Sequence, residues 1–123
     1  MKKILVIDDD EAILLMAVEL LQALGYDPIS ASDGNSGIGL AIAQQPDLIL
    51  CDLNMPSVGG LETLRTIRGT EATAKIPFVL LSGLADTSTR NEAERSGANG
   101  VMTKPFSTSE LLTTLGLWLD DAA

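Results

Sequence analysis

Histidine is absent from this chain of 123 residues, and cysteine occurs once, as Cys51. Without histidine the commonest general base and the commonest metal ligand are missing, so Ser-His-Asp triads and histidine-containing zinc sites are excluded. A single thiol cannot close an internal disulfide. Positive charge is scarce as well: 8 lysines and arginines against 17 aspartates and glutamates leave a net charge of −9. Nucleic acid and anionic membranes are met by basic faces, so this balance argues against binding either, while leaving a basic protein or a metal cation open as partner. Long apolar runs are also missing. Lys2 and Lys3 look like the start of a signal peptide, but only Ile4, Leu5, Val6 and Ile7 follow before Asp8. A secretory core needs roughly 7–15 apolar residues, and no run approaches the ~18 of a membrane helix. The expectation is a soluble cytoplasmic protein.

What is present is a regular alternation. Hydrophobic residues make up 46% of the chain, enough for one domain over 1–123, with 120–123 expected to fray. Continuous apolar runs at Ile4–Ile7, Leu48–Cys51 and Phe78–Leu81 read as strands buried on both faces. Pro28–Ala31 reads as a weak edge strand and Gly100–Thr103 as a fifth strand. Between them, apolar residues recur at helical spacing over Glu11–Leu24, Asn35–Gln45 and Leu61–Arg68. Thr87–Ser96 is a polar helix closed by Gly97, and Ser107 with Glu110 forms a capping box for a last helix ending near Leu119. Five strand–helix units in succession predict an α/β fold: a doubly wound parallel sheet with helices on both faces and right-handed crossovers.

The polar residues fall at one kind of position. Asp8, Asp9 and Asp10 follow the first strand, Asp52 the third, Ser82 the fourth and Lys104 the fifth. Parallel strands bring all of these to the carboxyl edge of the sheet, where such folds bind ligands. Carboxylates held close together repel unless a proton or a cation neutralises them. With no histidine and one cysteine, a hard divalent cation with oxygen ligands, Mg2+, is the natural partner. A lysine nearby can hold a phosphoryl oxygen as a point charge, and a carboxylate left over can act as nucleophile. These parts suit in-line phosphoryl transfer to an aspartate.

The run Ile4-Leu5-Val6-Ile7-Asp8-Asp9, the segment Asp52-Leu53-Asn54-Met55-Pro56, Ser82 and the segment Lys104-Pro105-Phe106 together resemble the receiver domains of bacterial response regulators, chemotaxis-regulator-like, over essentially the whole chain. The resemblance implies a flavodoxin-like, five-stranded sheet in the order 2-1-3-4-5. It implies that Asp52 is the phosphoacceptor, that Asp9 binds Mg2+ directly and Asp8 mainly through water, and that the Asn54 carbonyl completes the protein ligands. Lys104 pairs with the acceptor carboxylate and then with the phosphoryl oxygens, and the Ser82 hydroxyl turns in to bond one of them. The Lys104–Pro105 bond is expected to be cis. The donor is a phosphohistidine on a sensor histidine kinase or phosphotransfer protein, and water later hydrolyses the acyl phosphate. Such a domain is not an enzyme beyond its own phosphorylation and dephosphorylation. It switches a surface read by a downstream protein target, with no direct nucleic acid or membrane contact, as a monomer or weak dimer.

Several positions depart from the family's habit. Val101 stands where an aromatic switch residue is common, and a valine has no ring to swing. Gly59 replaces a common aspartate before the loop glycine, and Gly83 a common alanine after Ser82, which should loosen the following loop. Leu84, two past Ser82, is bulky and apolar, and predicts slow hydrolysis by shielding the phosphoryl group from water. The last helix carries Leu111, Leu112, Leu115 and Trp118 and no basic residue, which fits a protein-binding regulator better than the charged dimers of DNA-binding ones. Asp10 fits a helix cap, Cys51 a buried small hydrophobe rather than a redox thiol, and Ser82 could be a plain turn residue. Leu117 and Trp118 are open between core and exposed patch. Two other functions compete with this reading. A haloacid-dehalogenase-like phosphatase is suggested by Asp8-Asp9-Asp10, yet Ala12 stands where that family expects Thr or Val. A non-phosphorylated pseudo-receiver is opposed by the retention of every expected polar residue.

Overall fold

The apolar runs form the middle of a sheet. The structure, a computed structural model, describes residues 1–83 and 86–119. Strands β1 (Lys3–Ile7), β2 (Asp27–Ala31), β3 (Leu48–Asp52), β4 (Phe78–Ser82) and β5 (Gly100–Thr103) alternate with helices α1 (Glu11–Ala23), α2 (Gly34–Gln44), α3 (Gly60–Gly69), α4 (Thr87–Arg95) and α5 (Thr108–Trp118). All neighbouring strands pair in parallel, in the order β2-β1-β3-β4-β5. The chain leaves β1 toward the β2 edge and returns to the other side at β3. The order therefore reverses between β1 and β3, which opens a crevice at their carboxyl ends.

Strand alternation divides the core in two. Ile4, Val6, Leu48, Leu50, Val79, Leu81 and Met102 pack with Ala17 and Leu21 of α1 and with Leu111, Leu115 and Leu119 at α5. Leu5, Ile7, Ile49, Cys51, Phe78 and Leu80 face the other way, against Ala41 of α2, Leu64 and Ile67 of α3 and Ala93 of α4. Every residue of β3 and β4 is buried, as continuous apolar runs require.

Element ends differ from the sequence reading in instructive ways. Asp52 and Ser82 complete β3 and β4 rather than follow them, because each still joins the ladder beside Leu81 and Thr103. Helix α1 stops at Ala23, with Leu24 as its cap and Gly25 at φ 91, the left-handed position glycine suits. Helix α2 starts at Gly34 because the Asp33 carboxylate accepts from the Ser36 N–H at 2.7 Å. The capping box at α5 is formed, with Glu110 N–H donating to Ser107 Oγ at 3.0 Å and Ser107 N–H to Glu110 Oε1 at 3.2 Å. On α5, Leu111 and Leu115 are buried, so they belong to the core and not to a partner face; Leu112, Leu117 and Trp118 are exposed. The expectations about Leu84 and about the tail 120–123 fall outside the described residues. Among the described residues no helix is long and apolar enough to cross a membrane.

Candidate functional site

Each site residue is placed by the end of a strand. Asp8 is the first residue past β1, held by its N–H, which donates to the Ala31 carbonyl of β2 at 3.1 Å. Asp52 ends β3. Gly60, at the start of α3, lies so close that a Cβ there would strike the Asp52 carbonyl oxygen and the Leu53 Cα. Glycine thus lets α3 begin directly against the strand end. Lys104 follows β5, and its N–H donates to the Ser82 carbonyl at 2.8 Å, which fixes the end of β5 beside β4. The Lys104–Pro105 bond is cis.

The side chains converge as the strand ends suggest. Lys104 Nζ lies 2.9 Å from Asp8 Oδ2 and donates to Asp52 Oδ1 at 3.1 Å. Asp8 is wholly buried, Asp52 nearly so, and Asp9 reaches in from the solvent side. Asp8 Oδ1 accepts from the Asp10 N–H at 2.9 Å. Asp8 Oδ2 has no hydrogen-bond partner among the described residues; the Lys104 ammonium is its counter-charge. Ser82 is buried at the end of β4, one residue past the register partner of Asp52. Alternation groups Ser82 with Phe78 and Leu80, on the side of the sheet away from Leu81. Asn54 is an exposed residue of the loop between β3 and α3, two positions beyond Asp52, and is a candidate ligand by position alone.

Electrostatics follow from that burial. The Asp52 carboxyl is pushed up from the ordinary carboxylate value, first by burial, a rise that the hydrogen bond from Lys104 opposes and the charges of Asp8 and Asp9 reinforce. Burial works to lower Lys104, but its contacts with Asp8 and Asp52 outweigh that and leave it raised, so it stays an ammonium.

One oxygen each from Asp8, Asp9 and Asp52 lies within 4.8 Å of the others. Three clustered carboxylates share one ammonium, which contacts Asp8 and Asp52. An all-oxygen cluster with more negative than positive charge fits a hard divalent cation.

Neighbouring residues have simpler roles. The Asp10 carboxylate accepts from Ala12 N–H at 3.0 Å and Ile13 N–H at 3.3 Å, capping α1. The Asp-x-Asp pattern thus divides between a buried site residue and an exposed cap, which does not favour the dehalogenase-like alternative. Cys51 is buried and its thiol is pushed up, first by burial and then by the charges of Asp52 and Asp8, so it stays an unreactive core thiol. Sequence reasoning missed Arg68, whose guanidinium donates to the carbonyls of Gly97, Ala74 and Ile76 and to Asn99 Oδ1 at 2.7–3.1 Å. Asn99 Oδ1 also accepts from the Phe78 N–H at 2.9 Å. This clamp ties the end of α3 to the starts of β4 and β5. A basic residue in the last helical turn was the available sign, but its partners lie too far along the chain to be read.

Comparison with known proteins gives a consistent answer. A family model described as the response regulator receiver domain matches residues 4–116. Among curated proteins, the DNA-binding dual master transcriptional regulator RpaA of Synechocystis sp. is 41% identical over 112 residues, covering 91% of this chain and 46% of that protein. The chain therefore spans less than half of that regulator's length. Among solved structures, the chemotaxis protein CheY4 of Vibrio cholerae superposes with a TM-score of 0.93 at 32% identity, covering 97% of this chain and 99% of the other. The receiver domain of the sensor histidine kinase PA1611 from Pseudomonas aeruginosa PAO1, solved with a magnesium ion in its active-site cleft, superposes with a TM-score of 0.87 at 29% identity, covering 95% and 96% of the two chains.

Proposed function

Since this chain belongs to the response regulator receiver domain family, we propose that Asp52 is its phosphoacceptor, supported by Asp8, Asp9, Asn54, Ser82 and Lys104. The observation that carries this reading is the contact of Lys104 Nζ with both Asp8 and Asp52, beside three clustered carboxylates at the carboxyl edge.

An Mg2+ ion would be held by Asp9, Asp52 and the Asn54 carbonyl, with Asp8 mainly through water, and would supply neutralisation of the charge on the entering phosphoryl group. The chain's own groups do the rest. One Asp52 oxygen forms the new O–P bond as the P–N bond of a phosphohistidine breaks, and the electron pair leaves with the imidazole nitrogen. The Lys104 ammonium, already 3.1 Å from Asp52 Oδ1, moves to a phosphoryl oxygen and holds it as a point charge. Ser82 donates its hydroxyl to another oxygen, which from its side of β4 requires a turn inward. Attack by water on phosphorus later restores the carboxylate and releases inorganic phosphate.

The donor is a sensor histidine kinase or phosphotransfer protein, and the reader is a downstream protein. The exposed Leu112, Leu117 and Trp118 on α5 offer an uncharged surface for it. The reading is tested by intact mass after treatment with acetyl phosphate and Mg2+. A phosphoryl adduct on the natural chain and none on Asp52→Ala is expected; an adduct surviving in Asp52→Ala would overturn it.

A further inference from the structure

The few positive charges of this acidic chain are unevenly placed. Three of its four arginines, Arg65, Arg68 and Arg95, line one open groove between α3 and α4, together with Glu92 and Ser96. The groove has a volume of about 600 Å3. Helices in this fold run antiparallel to the strands, so the C-terminal halves of α3 and α4 lie toward the amino edge of the sheet, away from Asp52.

Among the described residues no carboxylate forms an ion pair with any of these three cations. Arg68 is committed to three carbonyls and one side-chain amide, all neutral, so it contributes a fixed, half-buried charge. Arg65 and Arg95 are exposed and make no hydrogen bond or ion pair with the described residues. Glu92 is the one acid in the lining, against three guanidinium groups. Helix dipoles explain cations in a last turn, which covers Arg68 and Arg95. They do not explain Arg65, one turn earlier and on the same side of α3 as Arg68.

We propose that this groove is a second, remote anion site that binds a doubly charged phosphate group. A planar guanidinium matches two phosphate oxygens at once. Arg65 and Arg95 are free to close on the anion from the two helices, and Arg68 adds charge from a position it cannot leave. The phosphate is free inorganic phosphate or the phosphomonoester of a small molecule.

The test is an amide chemical-shift titration of the full chain without Mg2+, using inorganic phosphate and, separately, a nucleoside monophosphate, with chloride at matched ionic strength as control. Saturable shifts at residues 65–69 and 92–97 are expected with phosphate and not with chloride. Arg65→Gln with Arg95→Gln should weaken binding at least ~tenfold while the dispersion of the folded spectrum is retained, since neither side chain holds the fold. Tighter binding of the monophosphate than of phosphate assigns the site to a phosphomonoester, and equal or weaker binding to the free ion. Shifts that match chloride, or wild-type affinity in the double variant, would overturn the proposal. Shifts confined to Asp8, Asp52 and Lys104 would overturn it too.

Discussion

The Lys104 ammonium sits 2.9 Å from Asp8 Oδ2, and the carboxylate it faces is wholly buried. Removing Lys104 leaves Asp8 and Asp52 facing each other with no cation, and a buried charge that loses its partner is costly. Lys104→Gln should therefore lower the stability of the metal-free protein by about 1–3 kcal/mol, the lower part of the range for buried pairs because the lysine is partly solvated. Urea unfolding in EDTA measures this, and an unchanged midpoint would show that the pair contributes nothing.

Asp52 titrates in a direction that fixes the sign of a pH effect. Its carboxyl is raised by burial, so the folded state holds that proton more tightly than the unfolded chain. The stabilisation linked to the proton is fully present below the unfolded value of 3.8 and is lost as pH rises through the folded one. At neutral pH without metal, Asp52→Asn should melt at a higher temperature than the natural chain. The gap should narrow as pH falls from neutral toward about 4. A gap independent of pH would mean that the charge on Asp52 is not its cause.

The ligand role proposed for Asp9 can be tested apart from folding. The residue is exposed, so Asp9→Asn should change metal-free stability by no more than ~0.5 kcal/mol. A cation bound to the folded state alone raises the melting temperature by mass action. Millimolar Mg2+ should thus raise the melting temperature of the natural chain and do so far less for Asp9→Asn. Equal responses would remove Asp9 from the ligand set.

Arg68 should matter for stability and not for chemistry. Its four hydrogen bonds join the end of α3 to the starts of β4 and β5, at the opposite edge from Asp52. Hydrogen bonds from a charged donor contribute more than neutral ones, and the carbonyls left behind are partly buried. Arg68→Met is expected to cost about 2–4 kcal/mol in denaturant unfolding. The rate of labelling by acetyl phosphate, measured well below the midpoint, should stay within a factor of about two.

The expectation drawn from the sequence for Leu84 concerns the lifetime of the phosphorylated form. The sequence places a bulky apolar residue two positions past Ser82, where it would hinder water. Leu84→Glu should shorten the half-life of the phosphorylated form, followed by loss of the phosphoryl mass adduct after the donor is removed. An unchanged half-life rejects the shielding idea.

The order of strands and helices was legible because it depends on periodicity. The runs at Ile4–Ile7 and Phe78–Leu81 had to be buried on both faces, and glycines such as Gly25 and Gly97 mark helix ends through their positive φ. Asp8, Asp52 and Lys104 were legible for a related reason: parallel strands deliver their carboxyl ends to one edge, so strand-end residues meet. Ladder pairing was not legible to the residue, which is why Asp52 and Ser82 turned out to belong to their strands.

The chain's own letters thus determined which residues could do chemistry, because residue type and strand-end position are local properties. The tertiary structure alone decided which carboxylate is wholly buried, that Leu111 and Leu115 serve the core while Leu112 and Leu117 stay outside, and that three arginines share a groove. Those facts depend on the angle at which one helix lies over the sheet and on contacts between segments tens of residues apart. No local pattern encodes them, since burial is set by what the rest of the chain places overhead.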